Sequence, residues 1–184
     1  MDETLRKWIS EILKQHEALL LIAIRQRAKF EGWLKFELAA FAETQGAQYV
    51  EVESSNDTES TQGRSDITLY LNGVRYDVEL KTPNTNWRMP GVHNKTRPIT
   101  KNVAGIIQDA WKLRHSPGQG VIAFVLFPVP PKDDRWTEYL DRIWTELGIP
   151  LTQQDNCNRL SISLGEDKSA DIIICSFQVP RHYQ

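Results

Sequence analysis

Asp66, Asp77, Glu79 and Lys81 lie on two alternating runs that flank Asn72-Gly73, the dipeptide that most strongly signals a two-residue type I′ hairpin. With that pair as the loop, Leu71 faces Val74, Leu69 faces Tyr76 and Ile67 faces Val78. On the other face Thr68 meets Asp77 and Asp66 meets Glu79, with Lys81 one step further along. Side chains alternate between the faces of a sheet, so one face is apolar and the other gathers the charges. A slip of one residue would turn a carboxylate into the core, which fixes the register. Opposed carboxylates repel at cross-strand Cβ separations of about 4.5–5.5 Å, and a divalent cation between them removes that repulsion. Mg²⁺ takes oxygen ligands, commonly one or two carboxylates completed by water and substrate phosphate. A lysine alongside could orient or deprotonate an attacking water, or offset charge building on phosphate. The plainer alternative is a solvated polar face on which Lys81 merely neutralises Glu79.

Asp66, twelve intervening residues, then Glu79-Leu80-Lys81 resemble the motif of the PD-(D/E)XK nucleases, the restriction-endonuclease-like superfamily. The proline usual before the aspartate is Ser65 here. The resemblance covers about residues 30 to 130. It implies an α/β fold with a mixed central sheet flanked by helices, here with an N-terminal helical extension. It also implies one or two Mg²⁺ or Mn²⁺ ions held by Asp66, Glu79, the backbone carbonyl of Leu80 and a glutamate on the helix preceding the core strands. Glu37 is the position matching that glutamate, with Glu43 as the fallback. Lys81 would position or activate the attacking water. Asp77 is a candidate auxiliary group, set against a structural role beside Thr68. Many members use a glutamine or lysine on the helix after the hairpin, and Gln108 is the residue that corresponds.

The chain has 184 residues, a formal net charge of −2, 25% charged and 40% hydrophobic residues, and two cysteines. That length suits one domain, which the resemblance divides into an N-terminal helix (1–29), a nuclease-like core (30–130) and a C-terminal helix with strands (131–184). The ordinary composition excludes global disorder, and the near-neutral balance means that any affinity for a polyanion must be local. Cys157 and Cys175 lack metal-type spacing and cannot alone ligate a four-cysteine iron–sulfur cluster; they read as thiols in a reducing cytosol. The apolar run at 18–24 is far too short to span a bilayer, and no signal peptide is visible. A cytoplasmic protein without membrane partners is expected.

The elements that must position the charges follow from periodicity. Residues 3 to 28 read as one long helix, capped by Asp2 and apolar nearly all round at 18–24, hence buried on more than one side. A second helix covers 32–44, and residues 48–53 form the first strand. Polar residues 54–63 form a loop that would meet DNA. After the hairpin, the stretch 84–115 holds Arg88, Lys95, Arg97, Lys101, Lys112 and Arg114 against one acid, Asp109. This is the local positive patch, with Arg88, Lys95, Arg97, Lys101 and Gln108 as candidate nucleic-acid contacts. A helix at 99–114 turns Val103, Ile106, Ile107, Ala110 and Trp111 to the core. Residues 120–129 form a strand buried on both faces. Asp133 or Asp134 caps a helix ending at Leu147, and 160–164 and 170–177 are the last strands. His93-Asn94 lacks the partner histidines of a histidine–metal nuclease, and no Gly-rich phosphate loop or nucleophile signature is present.

The function expected from these residues is divalent-metal-dependent hydrolysis of phosphodiesters, above all as a DNA endonuclease. A homodimer would serve to cut both strands of a duplex. The alternatives are a non-cleaving nucleic-acid-binding module of the same fold and an RNA-cleaving nuclease toxin.

Overall fold

The hairpin pairs β2 (Arg64–Leu71) with β3 (Val74–Lys81) in the register that the alternation dictates: Ile67 opposite Val78, Thr68 opposite Asp77, Leu71 opposite Val74. Asn72 and Gly73 both take positive φ, 51° and 77°, as a type I′ turn requires. The structure, a computed structural model, describes residues 1–55, 64–94 and 99–181. Lys95, Arg97, most of the expected 54–63 loop and the last three residues lie outside the described residues.

β1 (Gln48–Ser55), β4 (Gln119–Val129), β5 (Cys157–Gly165) and β6 (Lys168–Val179) complete a six-stranded mixed sheet ordered β1-β2-β3-β4-β6-β5. Only β3 and β4 run parallel. A parallel pair needs a long crossover, and α4 (Ile99–Leu113) lies within it. β4 is buried almost from end to end because both faces are covered. Val121, Ala123 and Val125 enter one core with α1 (Asp2–Gln15), α2 (Glu17–Gln26) and α3 (Glu31–Thr44). Ile122, Phe124 and Leu126 enter another with α4 and α5 (Thr137–Leu147). Ile67, Leu69, Val78 and Leu80 belong to the first core. Asp66, Asp77, Glu79 and Lys81 are therefore on the opposite face of the hairpin, the face that α4 covers.

Several expectations need correction. The long N-terminal helix is two, broken at His16, whose φ and ψ are −116° and 38°. No proline or glycine marks that break. Asp2 lies inside α1, and Met1 takes the N-cap position without a side-chain bond. α2 buries Leu20, Ala23 and Ile24 but leaves Ile22 exposed, so it is buried on one side. Trp111 is 43% exposed, stacked under the Arg114 guanidinium at 3.9 Å rather than packed in the core. α5 has Trp136 at its N-cap and no side-chain cap, because Asp133 binds Arg135 and Asp134 binds Arg159. A short helix, α6 (Gln153–Asn156), was not foreseen; Thr152 caps it through the Asp155 N–H at 3.0 Å.

Cys157 and Cys175 face each other across β5 and β6 as free thiols, their Sγ atoms 2.7 Å apart. Burial pushes the Cys175 thiol well above its usual pKa, which leaves it little thiolate for chemistry. No helix among the described residues is long and apolar enough to cross a membrane.

Candidate active site

Lys81 sits at the centre of the charged cluster. Its Nζ lies 3.1 Å from Asp109, 3.8 Å from both Glu79 and Asp66, and 3.9 Å from Glu31. Four elements thus supply the site: β2 and β3 by register, α3 and α4 by the polar edges of helices whose other faces are buried. The Asp66 carboxylate is oriented from both sides, by the Leu80 N–H on Oδ2 at 2.8 Å and by Lys35 on Oδ1 at 3.0 Å. Lys35 also holds Glu53 of β1 at 3.0 Å. Glu31 and Lys35 share one face of α3 at i, i+4 spacing. Glu31 accepts the Thr82 N–H at 3.2 Å, which ties the start of α3 to the end of β3.

Five carboxylates therefore face three ammonium groups, since Lys112 also binds Asp109 at 2.9 Å. Burial and the excess of negative charge both favour the protonated form of Glu79. Burial, then Asp66 and Asp109, pushes the Glu79 carboxyl up to about 8 although Lys81 opposes it. Burial alone would lower the Lys81 ammonium, but Asp109, Glu31 and Asp66 outweigh it and raise its pKa. Lys35 behaves alike: Asp66 and Glu53 overcome the cost of burial and raise it. Both lysines are cations at neutral pH.

The donor set suits a hard divalent cation. Asp66 and Glu79 are neighbouring carboxylates, and the Leu80 carbonyl is turned to the same place, within 3.3 Å of Lys81 Nζ. Among the described residues no three His, Cys, Asp or Glu side chains converge on one point. An all-protein cage is not what these residues form. Mg²⁺ does not need one, because it is bound through one or two carboxylates and keeps several waters.

Glu37 is not brought into the cluster. It pairs with His16 at 3.6 Å, because Leu34, Leu38 and Ala42 define the buried face of α3 and turn Glu31 and Lys35 to the site. Glu43 is exposed near the helix end. Gln108 is also exposed, and its neighbour Asp109 is the buried residue that reaches Lys81. Arg88 is exposed on the segment after β3. That segment is anchored by the buried Arg27 guanidinium, which donates to the carbonyls of Thr85, Trp87 and His93. Lys101 lines a groove of about 210 Å³ with Lys29, Lys81, Pro83, Asn102 and Gly105. Three of those six residues are lysines and none is acidic, so the groove next to Lys81 suits an anion.

Glu31, Lys35 and Asp109 were missed as site residues. The one available signal was that Asp109 is the lone acid of a basic stretch. For a metal-dependent activity at this cluster, replacing Glu31 with glutamine is expected to lower the rate about tenfold or more, the usual effect of disturbing a group that orients a metal site. Glu37→Gln is expected to stay within about twofold, because its carboxylate pairs with His16, outside the cluster. Equal losses in the two variants, measured as initial rates, would return Glu37 to the site.

Asp77 is occupied structurally. It is fully buried and accepts from Thr68 Oγ1 at 2.8 Å, Arg75 Nε at 3.1 Å and the Gly118 N–H at 2.6 Å. A Cβ at Gly118 would meet Asp77 Oδ2 at 2.6 Å, so the approach of this turn to the hairpin needs glycine. Asp77→Ala leaves those donors unpaired in the interior and is expected to cost roughly 2–4 kcal/mol in urea unfolding. A loss under about 0.5 kcal/mol, the range of ordinary surface changes, would deny Asp77 this role.

Set against family models, curated proteins and solved structures, the chain matches none of them.

Proposed function

We propose that the chain is a Mg²⁺- or Mn²⁺-dependent phosphodiesterase acting on nucleic acid, first of all a DNA endonuclease, and that its sheet is the restriction-endonuclease-like core. The observation that carries this reading is Asp66 beside Glu79 on paired strands, with Lys81 3.8 Å from each and Glu79 pushed up to about 8. Buried like charges of this kind recur at sites matched to a chemical task.

Asp66, Glu79 and the Leu80 carbonyl would hold the cation, which when bound lowers the pKa of water and stabilises charge on phosphate and the leaving oxygen. Lys35 and the Leu80 N–H fix the Asp66 carboxylate, so its geometry is set before substrate arrives. Lys81 presents a charged ammonium where the attacking water and the phosphate oxygens would meet. Lys29 and Lys101 line the adjoining groove and would hold a neighbouring phosphate of the same strand. Arg88 would contribute at longer range.

Incubating the protein with duplex, single-stranded and branched DNA and with RNA, in Mg²⁺, Mn²⁺ or EDTA, tests the reading. Metal-dependent cleavage of DNA is the expected result, and cleavage confined to RNA would favour the toxin-like alternative. Salt-dependent binding with no cleavage of any substrate would replace the enzyme with a binding module of the same architecture.

A further inference from the structure

Lys81 has a choice of four carboxylates, and the one it sits closest to is neither of the proposed cation ligands. Its Nζ lies 3.1 Å from Asp109 but 3.8 Å from both Asp66 and Glu79. Asp109 reaches it from α4, across the face of the hairpin, and is itself buried. The second Asp109 oxygen is taken by Lys112 at 2.9 Å, so both oxygens are committed to ammonium groups.

We propose that Asp109 is a positioning residue that holds the Lys81 ammonium closer to itself than to Asp66 and Glu79, so that the ammonium competes less with a divalent cation for those two carboxyl groups. An ammonium so near two carboxylates is a ready internal counter-ion. Without a competing acid, Lys81 would close on Asp66 and Glu79 and occupy the charge that the cation would otherwise neutralise. Asp109 competes for the ammonium at 3.1 Å and so limits that closure. The inference rests on the metal-dependent reading above and adds to it how the site avoids inhibiting itself.

The test is Mn²⁺ affinity of the full chain, by calorimetry and by loss of the free-ion electron paramagnetic resonance signal. It compares wild type, Asp109→Asn, Lys81→Met and the double variant. Asp109→Asn is expected to weaken Mn²⁺ binding about 10- to 100-fold, as loss of a supporting group does. Lys81→Met is expected to bind at least as tightly as wild type. In the Lys81→Met background Asp109→Asn should change affinity less than about twofold, because an effect transmitted through one residue disappears with it. An equal loss in both backgrounds would make Asp109 a ligand and overturn the proposal, as would no loss in either. Wild type that fails to bind Mn²⁺ would overturn the metal-dependent reading as well, which separates the two failures. Lys112 is largely exposed, so Lys112→Met folds even where an Asp109 variant does not; by releasing Asp109 to Lys81 it should hold or tighten Mn²⁺ affinity, and a weakening contradicts the mechanism.

Discussion

Glu79→Gln is expected to lower Mg²⁺-dependent cleavage by about 10³-fold or more, the scale of losing a principal electrostatic contact to the reacting centre. Glutamine keeps the shape of the side chain but cannot carry the charge. The site would then have Asp66 as its single carboxylate at that position, with Lys81 3.8 Å away and drawn to it. Lys81→Met is expected to reach a similar loss by a different route, keeping cation affinity while removing the ammonium proposed to face water and phosphate. Comparing single-turnover rates with Mn²⁺ affinity separates the two: Glu79→Gln lowers both, Lys81→Met lowers the rate alone. Near-wild-type cleavage by either variant would remove that residue from the mechanism.

The second large effect is on stability and needs no substrate. Burial, with Asp66 and Asp109, raises the Glu79 carboxyl from 4.5 to about 8, so between those values the folded protein keeps a proton that the unfolded chain has released. A group whose folded pKa is raised contributes stability that is complete below its unfolded pKa and is lost as pH rises through its folded pKa. In EDTA, the Tm of the wild type relative to Glu79→Gln should therefore fall from about pH 5 to about pH 8. The gap is expected to reach roughly 5–10 °C in favour of the variant at the upper end. Mg²⁺ should abolish the decline in the wild type, because it binds the ionised carboxylate and so stabilises the folded state. Parallel Tm curves for the two proteins in EDTA would show that Glu79 ionises freely and feels no such crowding.

How far the sequence revealed this site depended on how sharply each element's pattern fixes orientation. The hairpin was legible because a period of two leaves two choices, and Asn72-Gly73 with Ile67, Leu69, Val78 and Leu80 on one face rejects one of them. The strand β4 was legible for a related reason: an unbroken apolar run admits burial on both faces and little else. Helix faces were harder. On α3, Trp33, Phe36, Leu38, Ala40 and Phe41 spread apolar groups around most of the circumference, and Phe36 proves 66% exposed. The buried stripe through Leu34, Leu38 and Ala42 turns Glu31, not Glu37, toward Lys81. On α4, Gln108 rested on the resemblance, whereas the buried face through Val103, Ile106, Ile107 and Ala110 also takes in Asp109 and leaves Gln108 and Trp111 exposed. The break at His16 had no residue to announce it.

Crystals soaked in Mn²⁺ and measured for anomalous scattering test the central claim most directly, that Asp66 and Glu79 form a divalent-cation site. A peak bonded to carboxylate oxygens of Asp66 and Glu79 and to the Leu80 carbonyl, at roughly 2.0–2.3 Å as for a small hard cation, with Lys81 beside it, is the expected result. A saturating soak with no peak there, and with Lys81 still lying against the carboxylates, would contradict it.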